Sequence, residues 1–129
     1  MRLLLDTHAA IWAIASPEAL SPAAAEAISD ERNEVFVSVA SLWEIAIKFA
    51  LKRKQTPPFN AEDGMRYFRK AGYNLLDIKP EHAVATEQLS IEHYDPFDRM
   101  LIAQALCEPL MLVSQDHRIA AFVPHSVLW

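Results

Sequence analysis

Arg2-Leu3-Leu4-Leu5 is the stretch that most limits what this chain can fold into. Three leucines in a row, with no polar residue between them, suit a strand buried on both faces at the centre of a parallel sheet. Thr7 to Ile14 reads as a helix, which puts Asp6 in the strand-to-helix turn, at the carboxyl edge of that strand. Open α/β sheets place their ligands at this edge. An Asp in such a turn is equally a good helix N-cap, and from Asp6 alone the two readings stand level.

The rest of the chain repeats the alternation. Ser16-Pro17-Glu18 is a turn, and Ser21-Pro22 opens an alanine-rich helix to about Arg32, with Ser as N-cap and Pro at the first position. Glu34 to Ser38 reads as a second strand, rich in β-branched and aromatic residues. From Val39 to Arg53 a helix carries Leu42, Ile45, Ala46, Phe49 and Ala50 as an apolar stripe. Trp43, Ile47 and Leu51 widen the stripe, and Trp12, Trp43 and Phe49 are expected to fill core. Glu44, Lys48 and Lys52 recur at steps of four along one narrow face of the same helix.

Gln55 to Pro58 connects to a helix over Ala61–Lys70, which Gly72 stops. Tyr73 to Asp77 reads as an edge strand, and Pro80 to Leu89 as a short helix. Asp95-Pro96-Phe97-Asp98 starts a helix that runs to about Cys107: Asp95 caps, Pro96 takes the first position and Asp98 the third. Leu110 to Val113 is an apolar, central strand. Ser114-Gln115-Asp116 closes it, His117 to Phe122 gives one or two helical turns, and Ser126-Val127-Leu128 adds a last strand. Strands alternating with helices over short connections argue for a doubly wound, mostly parallel sheet in one domain covering residues 1–129.

Composition narrows the function. Net charge is −5, so a polyanion would need local basic patches or metal ions to mask the acids. The two glycines, Gly64 and Gly72, leave no room for a P-loop or a dinucleotide fingerprint. The single cysteine, Cys107, excludes an internal disulfide and reads as core, in keeping with a cytoplasmic setting. Asp6 interrupts the apolar start too early for a secretory signal, and no apolar run approaches membrane-spanning length.

Asp6, Glu44, Asp98 and Asp116 each fall at or near a helix start. Three of these helices directly follow a strand and so begin at one edge of the sheet. Asp98 opens a helix with no strand of its own before it. Each acid has a local use: Asp6 and Asp116 as caps, Glu44 in a capping box with Ser41 or a pair with Lys48, Asp98 at a helix dipole. Gathered together they would repel. At about 4 Å and an effective dielectric of ~20, each like-charged pair costs about 4 kcal/mol, against ~0.3–1 kcal/mol returned by each helix N-terminus. Either some acids hold protons or divalent cations sit among them. Oxygen-only donors favour Mg²⁺ or Mn²⁺ over zinc, and such ions suit phosphodiester hydrolysis.

Leu4-Leu5-Asp6-Thr7-His8, the run from Ser38 to Lys48, and Asp95 to Ala105 together resemble the PIN-domain ribonucleases, above all the VapC-type toxins of bacterial type II toxin–antitoxin modules. The resemblance spans nearly the whole chain, with the motifs in order. It implies a PIN-like three-layer α/β sandwich, with a central, mostly parallel sheet of four to five strands flanked by helices. It also implies Mg²⁺- or Mn²⁺-dependent RNA cleavage, a homodimer, and an antitoxin that blocks the site. The family's acids map onto Asp6, Glu44, Asp98 and Asp116. At the fourth motif this chain has Ser114 where the family more often has threonine.

Around those acids, Thr7 and Ser114 either hydrogen-bond the ligands or metal-bound water, or serve as plain helix caps. Lys48 and Lys52 either track the RNA backbone or hold an acid of the antitoxin, and Arg99 either neutralises the scissile phosphate or pairs with an acid. The five histidines, at 8, 82, 93, 117 and 125, lack metal-ligand spacing and read as surface or core. Two other readings remain. An aspartyl-phosphate phosphatase would want a second Asp where His8 stands, and a PIN-like module with a silent site would bind RNA or protein without cutting.

Overall fold

The leucines of β1 (Arg2–Leu5) are fully buried and divide between two cores. Leu3 and Leu5 face one side of the sheet and Leu4 the other, the period-two alternation of a strand covered on both faces. In a computed structural model, which describes residues 1–89 and 95–129, the chain continues through α1 (Thr7–Ala15), α2 (Pro22–Ser29), β2 (Glu34–Ser38) and α3 (Val39–Leu51). It then runs through α4 (Ala61–Lys70), β3 (Asn74–Leu76), α5 (Pro80–Glu87), α6 (Pro96–Cys107), β4 (Met111–Val113), α7 (His117–Phe122) and β5 (Val127–Leu128). The strands form one five-stranded sheet in the order β3-β2-β1-β4-β5, every neighbouring pair parallel. Leu4 pairs with Phe36 of β2 and Leu112 of β4, so the first strand is the central one, as its composition requires.

One core packs Leu3, Leu5, Val35, Val37 and Val113 against Ala9, Ala24, Ile45 and Phe68 from α1 to α4. The second packs Leu4 and Leu112 against Leu101, Ile102 and Ala105 of α6 and Ile119 of α7. Helices on both faces of a parallel sheet make the three layers. Among the described residues no helix is long and apolar enough to cross a membrane.

The helix that ends in the turn after Lys70 stops where expected, with Gly72 at a φ of 87° that a side chain rarely tolerates. Other boundaries shift. The second helix ends at Ser29 rather than Arg32, where Asp30 and Arg32 pair with each other. The third ends at Leu51 rather than Arg53, because Lys52 turns to a φ of 49° and takes the chain out of the helix.

Two expectations about the core fail for one reason, that an apolar composition does not say which side of a helix meets the sheet. Only Ala40, Ser41, Glu44 and Ile45 of α3 are buried. Trp43 is 61% exposed and lies edge-on to Phe97, with ring centroids 5.3 Å apart. Cys107 is exposed at the end of α6. His82 is wholly buried, its Nδ1 accepting the Lys79 amide, while His93 lies outside the described residues.

Candidate active site

Asp6 caps α1, its Oδ1 accepting the Ala9 amide at 2.8 Å, and its own amide donates to the Val113 carbonyl of β4. It is 7% exposed. Burial pushes its carboxyl above the ordinary 3.8, and the charge of Asp98 pushes the same way. The Ser114 hydroxyl, the Ala9 amide and His8 pull against this without reversing it. Ser114 also accepts the Asp116 amide at 3.1 Å, so a single hydroxyl ties the end of β1 to the turn that carries Asp116.

Glu44 sits one turn into α3 and is 5% exposed. Thr7 Oγ1 donates to its Oε1 at 2.6 Å and stands 2.9 Å from Ser41 Oγ. Lys48 Nζ donates to its Oε2 at 2.5 Å. The capping box drawn from Ser41 does not form, since α3 is capped by Ser38, whose hydroxyl accepts the Ala40 amide. Asp98 lies in the first turn of α6, half-buried. Asp95 caps that helix, its Oδ1 accepting the amides of Phe97 and Asp98. Asp116 caps α7 and holds Arg118 through both carboxylate oxygens, at 3.1 and 3.3 Å.

Asp6, Glu44, Asp98 and Asp116 line a single open cleft of about 500 Å³ at the carboxyl edge of the sheet, together with Thr7 and Lys48. Asp98 gets there because α6 leads into β4, a parallel strand. A helix returning to the start of a strand must itself begin at the strand's far edge. The other end of α6 confirms the direction, for Arg2 at the start of β1 reaches the Glu108 carbonyl.

Not every expected residue joins the cleft. Arg99 is directed elsewhere: its guanidinium donates to the Thr86 carbonyl of α5 at 2.6 Å, and it lines a separate apolar depression with Trp43 and Phe97. Lys52 stands exposed past the end of α3, outside the cleft. Conversely, Arg118, to which the sequence assigned no role, lines it, as do His8, expected at the surface or in the core, and Trp12, expected in the core. Arg118 is the notable omission, because it pairs with Asp116 and also feels the charges of Asp98 and Asp95. Its position two residues beyond a capping Asp was the available signal. His8 and Trp12 lie with ring centroids 5.6 Å apart, and Trp12 in turn meets Trp129 at 5.9 Å.

The donors therefore line one space but are held by local partners. Among the described residues no three acidic, histidine or cysteine side chains close into a group that could hold a metal as they stand. The chemistry of the set still fits a hard divalent ion: all four are carboxylates from four separate segments, and two, Asp6 and Glu44, are buried, Asp6 at a charge cost.

That cost has a pH signature. Between 3.8 and its raised folded value, Asp6 holds its proton more tightly in the folded chain than in the unfolded one. Folding stability from this group is then gained as pH falls through the window and lost as pH rises through it. Asp6→Asn keeps a good cap and removes the charge. In EDTA its melting temperature should exceed the parent's at neutral pH, with the gain vanishing below 3.8. A lower melting temperature for the variant at pH 7 would contradict this account of Asp6.

A family profile for the PIN domain matches residues 3–123. Among curated proteins, ribonuclease VapC22 of Mycobacterium tuberculosis is 28% identical over 120 residues, covering 91% of this chain and 88% of that one. Among solved structures, VapBC2 from Rickettsia felis bound to a promoter DNA fragment matches with a TM-score of 0.73 at 15% identity, over 99% of this chain and 98% of the other. A toxin–antitoxin complex from Klebsiella pneumoniae matches with a TM-score of 0.63 at 18% identity, over 98% and 96%. At these identities the structural likenesses speak to fold. The fold agrees with the profile, and the profile covers nearly the whole length: the chain belongs to the PIN domain family.

Proposed function

We propose that this protein is a Mg²⁺- or Mn²⁺-dependent endoribonuclease, the toxin of a toxin–antitoxin pair. The observation that carries the reading is the gathering of Asp6, Glu44, Asp98 and Asp116 in one cleft, with Asp6 buried and its carboxyl raised. The name of the relative from M. tuberculosis and the toxin–antitoxin complexes among the structural matches support it.

In this reading the four carboxylates hold the ion. When bound, it supplies Lewis-acid stabilisation of the charge that builds on the phosphoryl oxygens and activates water for attack. The chain's own residues do the rest. Ser114 and Thr7 fix the orientations of Asp6 and Glu44. Arg118 and Lys48, the cleft's guanidinium and ammonium, face the strand's phosphates. Lys52, Arg53 and Lys54, exposed beyond α3, lead the backbone in from the side. Arg99, turned to Thr86, steadies the start of α6 from outside the cleft.

A homodimer and an antitoxin complete the proposal, and the cytoplasm is where such a pair would meet cellular RNA. The exposed apolar residues of α3, Trp43, Ile47 and Leu51, are the surface we assign to a second copy. A catalytically silent RNA- or protein-binding module is the second reading, favoured by the absence of a preformed three-ligand group among the described residues.

The deciding experiment incubates the purified protein with total cellular RNA, with Mg²⁺ or Mn²⁺ and with EDTA, and maps the ends. Discrete cuts that need the ion are expected. Intact RNA in every lane would favour the silent module, and equal cutting in EDTA would remove the ion. Heating with increasing Mn²⁺ should raise the melting temperature, by the equivalent of about 2.7 kcal/mol when the ion reaches a hundred times its dissociation constant. No shift at millimolar Mn²⁺ would count against an intact site. Lys52→Ala should weaken RNA binding and reduce the log–log salt slope by roughly 0.7, the share of one phosphate contact on a single strand. An unchanged slope would return Lys52 to a plain solvated position.

A further inference from the structure

Both oxygens of Glu44 are already engaged. Thr7 occupies Oε1 at 2.6 Å and Lys48 occupies Oε2 at 2.5 Å, and the carboxylate is almost wholly buried. A divalent ion that takes Glu44 therefore competes with the Lys48 ammonium for the same carboxylate. Lys48 is placed to be displaced. Its side chain is 42% exposed, and its flexible four-carbon stem can carry the charge outward. It stands where three depressions meet: the acidic cleft, a groove that continues past Trp12 to Gln55 and Pro58, and a shallow basic hollow beside Arg53 and Lys54.

We propose that Lys48 is a two-position cation that pairs with Glu44 in the ion-free protein and, once a divalent ion takes Glu44, turns outward to a phosphate of the RNA strand. This rests on the metal-dependent reading above. A buried carboxylate without a counter-charge is strongly disfavoured, so one cation or the other must stay on Glu44. The incoming ion repels the ammonium it replaces, and the strand's phosphate offers that ammonium a new partner. Ion and strand thus help each other bind through one side chain, and by linkage each tightens the other by the same factor. An ordinary (i, i+4) helix pair would have no such coupling.

The test measures Mn²⁺ binding by calorimetry on the full chain and on Lys48→Met, with and without a single-stranded 2′-O-methyl oligonucleotide. Mn²⁺ should bind the variant about tenfold tighter, as expected when a charged hydrogen bond no longer competes. The oligonucleotide should tighten Mn²⁺ binding to the parent more than to the variant. Independently, the Lys48 side-chain resonance of the parent should move on adding Mg²⁺, a readout that needs no variant to fold. Equal or weaker Mn²⁺ binding by a folded Lys48→Met, or an unmoved Lys48 resonance while Mg²⁺ binds, would overturn the two-position role. Absence of Mn²⁺ binding in parent and variant alike would instead overturn the metal-dependent reading itself.

Discussion

Asp98→Asn is expected to reduce RNA cleavage by at least ~10³-fold while the chain keeps its fold, a loss on the scale seen when a group acting in the transition state is removed. The substitution preserves shape and removes one negative charge from a cleft where that charge already weighs on Asp6 and draws Arg118. The α6 cap does not depend on it, because Asp95 supplies the oxygen for the helix amides. With no ion present the variant should melt at or above the parent temperature, since one like-charge repulsion is gone. Circular dichroism melts in EDTA, run beside cleavage assays in Mn²⁺, separate the two effects. A variant that cuts RNA as well as the parent would remove Asp98 from the site. One that loses cleavage only because it unfolds would make Asp98 structural.

The second large effect belongs to the packing beneath that carboxylate. Ile102 follows Asp98 by one helical turn, is fully buried, and packs in the core that joins Leu4, Leu101, Leu112 and Ile119. Ile102→Ala should lower unfolding free energy by about 2–5 kcal/mol, the lost transfer energy plus the cavity left behind. For a chain of this size that is a fall in melting temperature of roughly 10 °C or more. Because this core holds α6 against β1 and β4, the relative placement of Asp98 and Asp6 depends on it. Urea denaturation should show a lower midpoint with an unchanged slope. A loss well under ~1 kcal/mol would mean that α6 is held at this point by something other than the Leu4 core.

The fold was legible where local rules act. A triple-leucine strand can be satisfied only with cover on both sides, and that made β1 central before any coordinates. Asp6, Asp95 and Asp116 were readable as caps because a capping carboxylate is chosen by amides two or three residues ahead. Those caps do not compete with a site at the sheet edge. For Asp6 the cap engages Oδ1 while the residue also lines the cleft, so capping does not by itself take Asp6 out of the cleft. Asp98 was open to a topological argument as well, from the strand that follows its helix rather than one before it.

What the local rules could not reach was the choice of partner and of face. Trp43 and Ile45 are both large and apolar, yet one is 61% exposed and the other fully buried. Arg99 lies beside Asp98 in the chain but reaches Thr86, whereas Arg118 comes into the acids through α7. Successive residues on a helix point about 100° apart, so adjacency in the chain puts them on different surfaces.

By itself, then, the order of residues determined the strands, most helix starts and the edge at which the acids emerge, since these follow from periodicity and hydrogen bonds spanning a few residues. The tertiary structure decided that Glu44 meets Thr7, that Ser114 bridges Asp6 to the Asp116 turn, and which face of α3 meets the sheet. Most of those contacts join segments separated by tens of residues. They exist only once the packed sheet brings β1, β2 and β4 side by side.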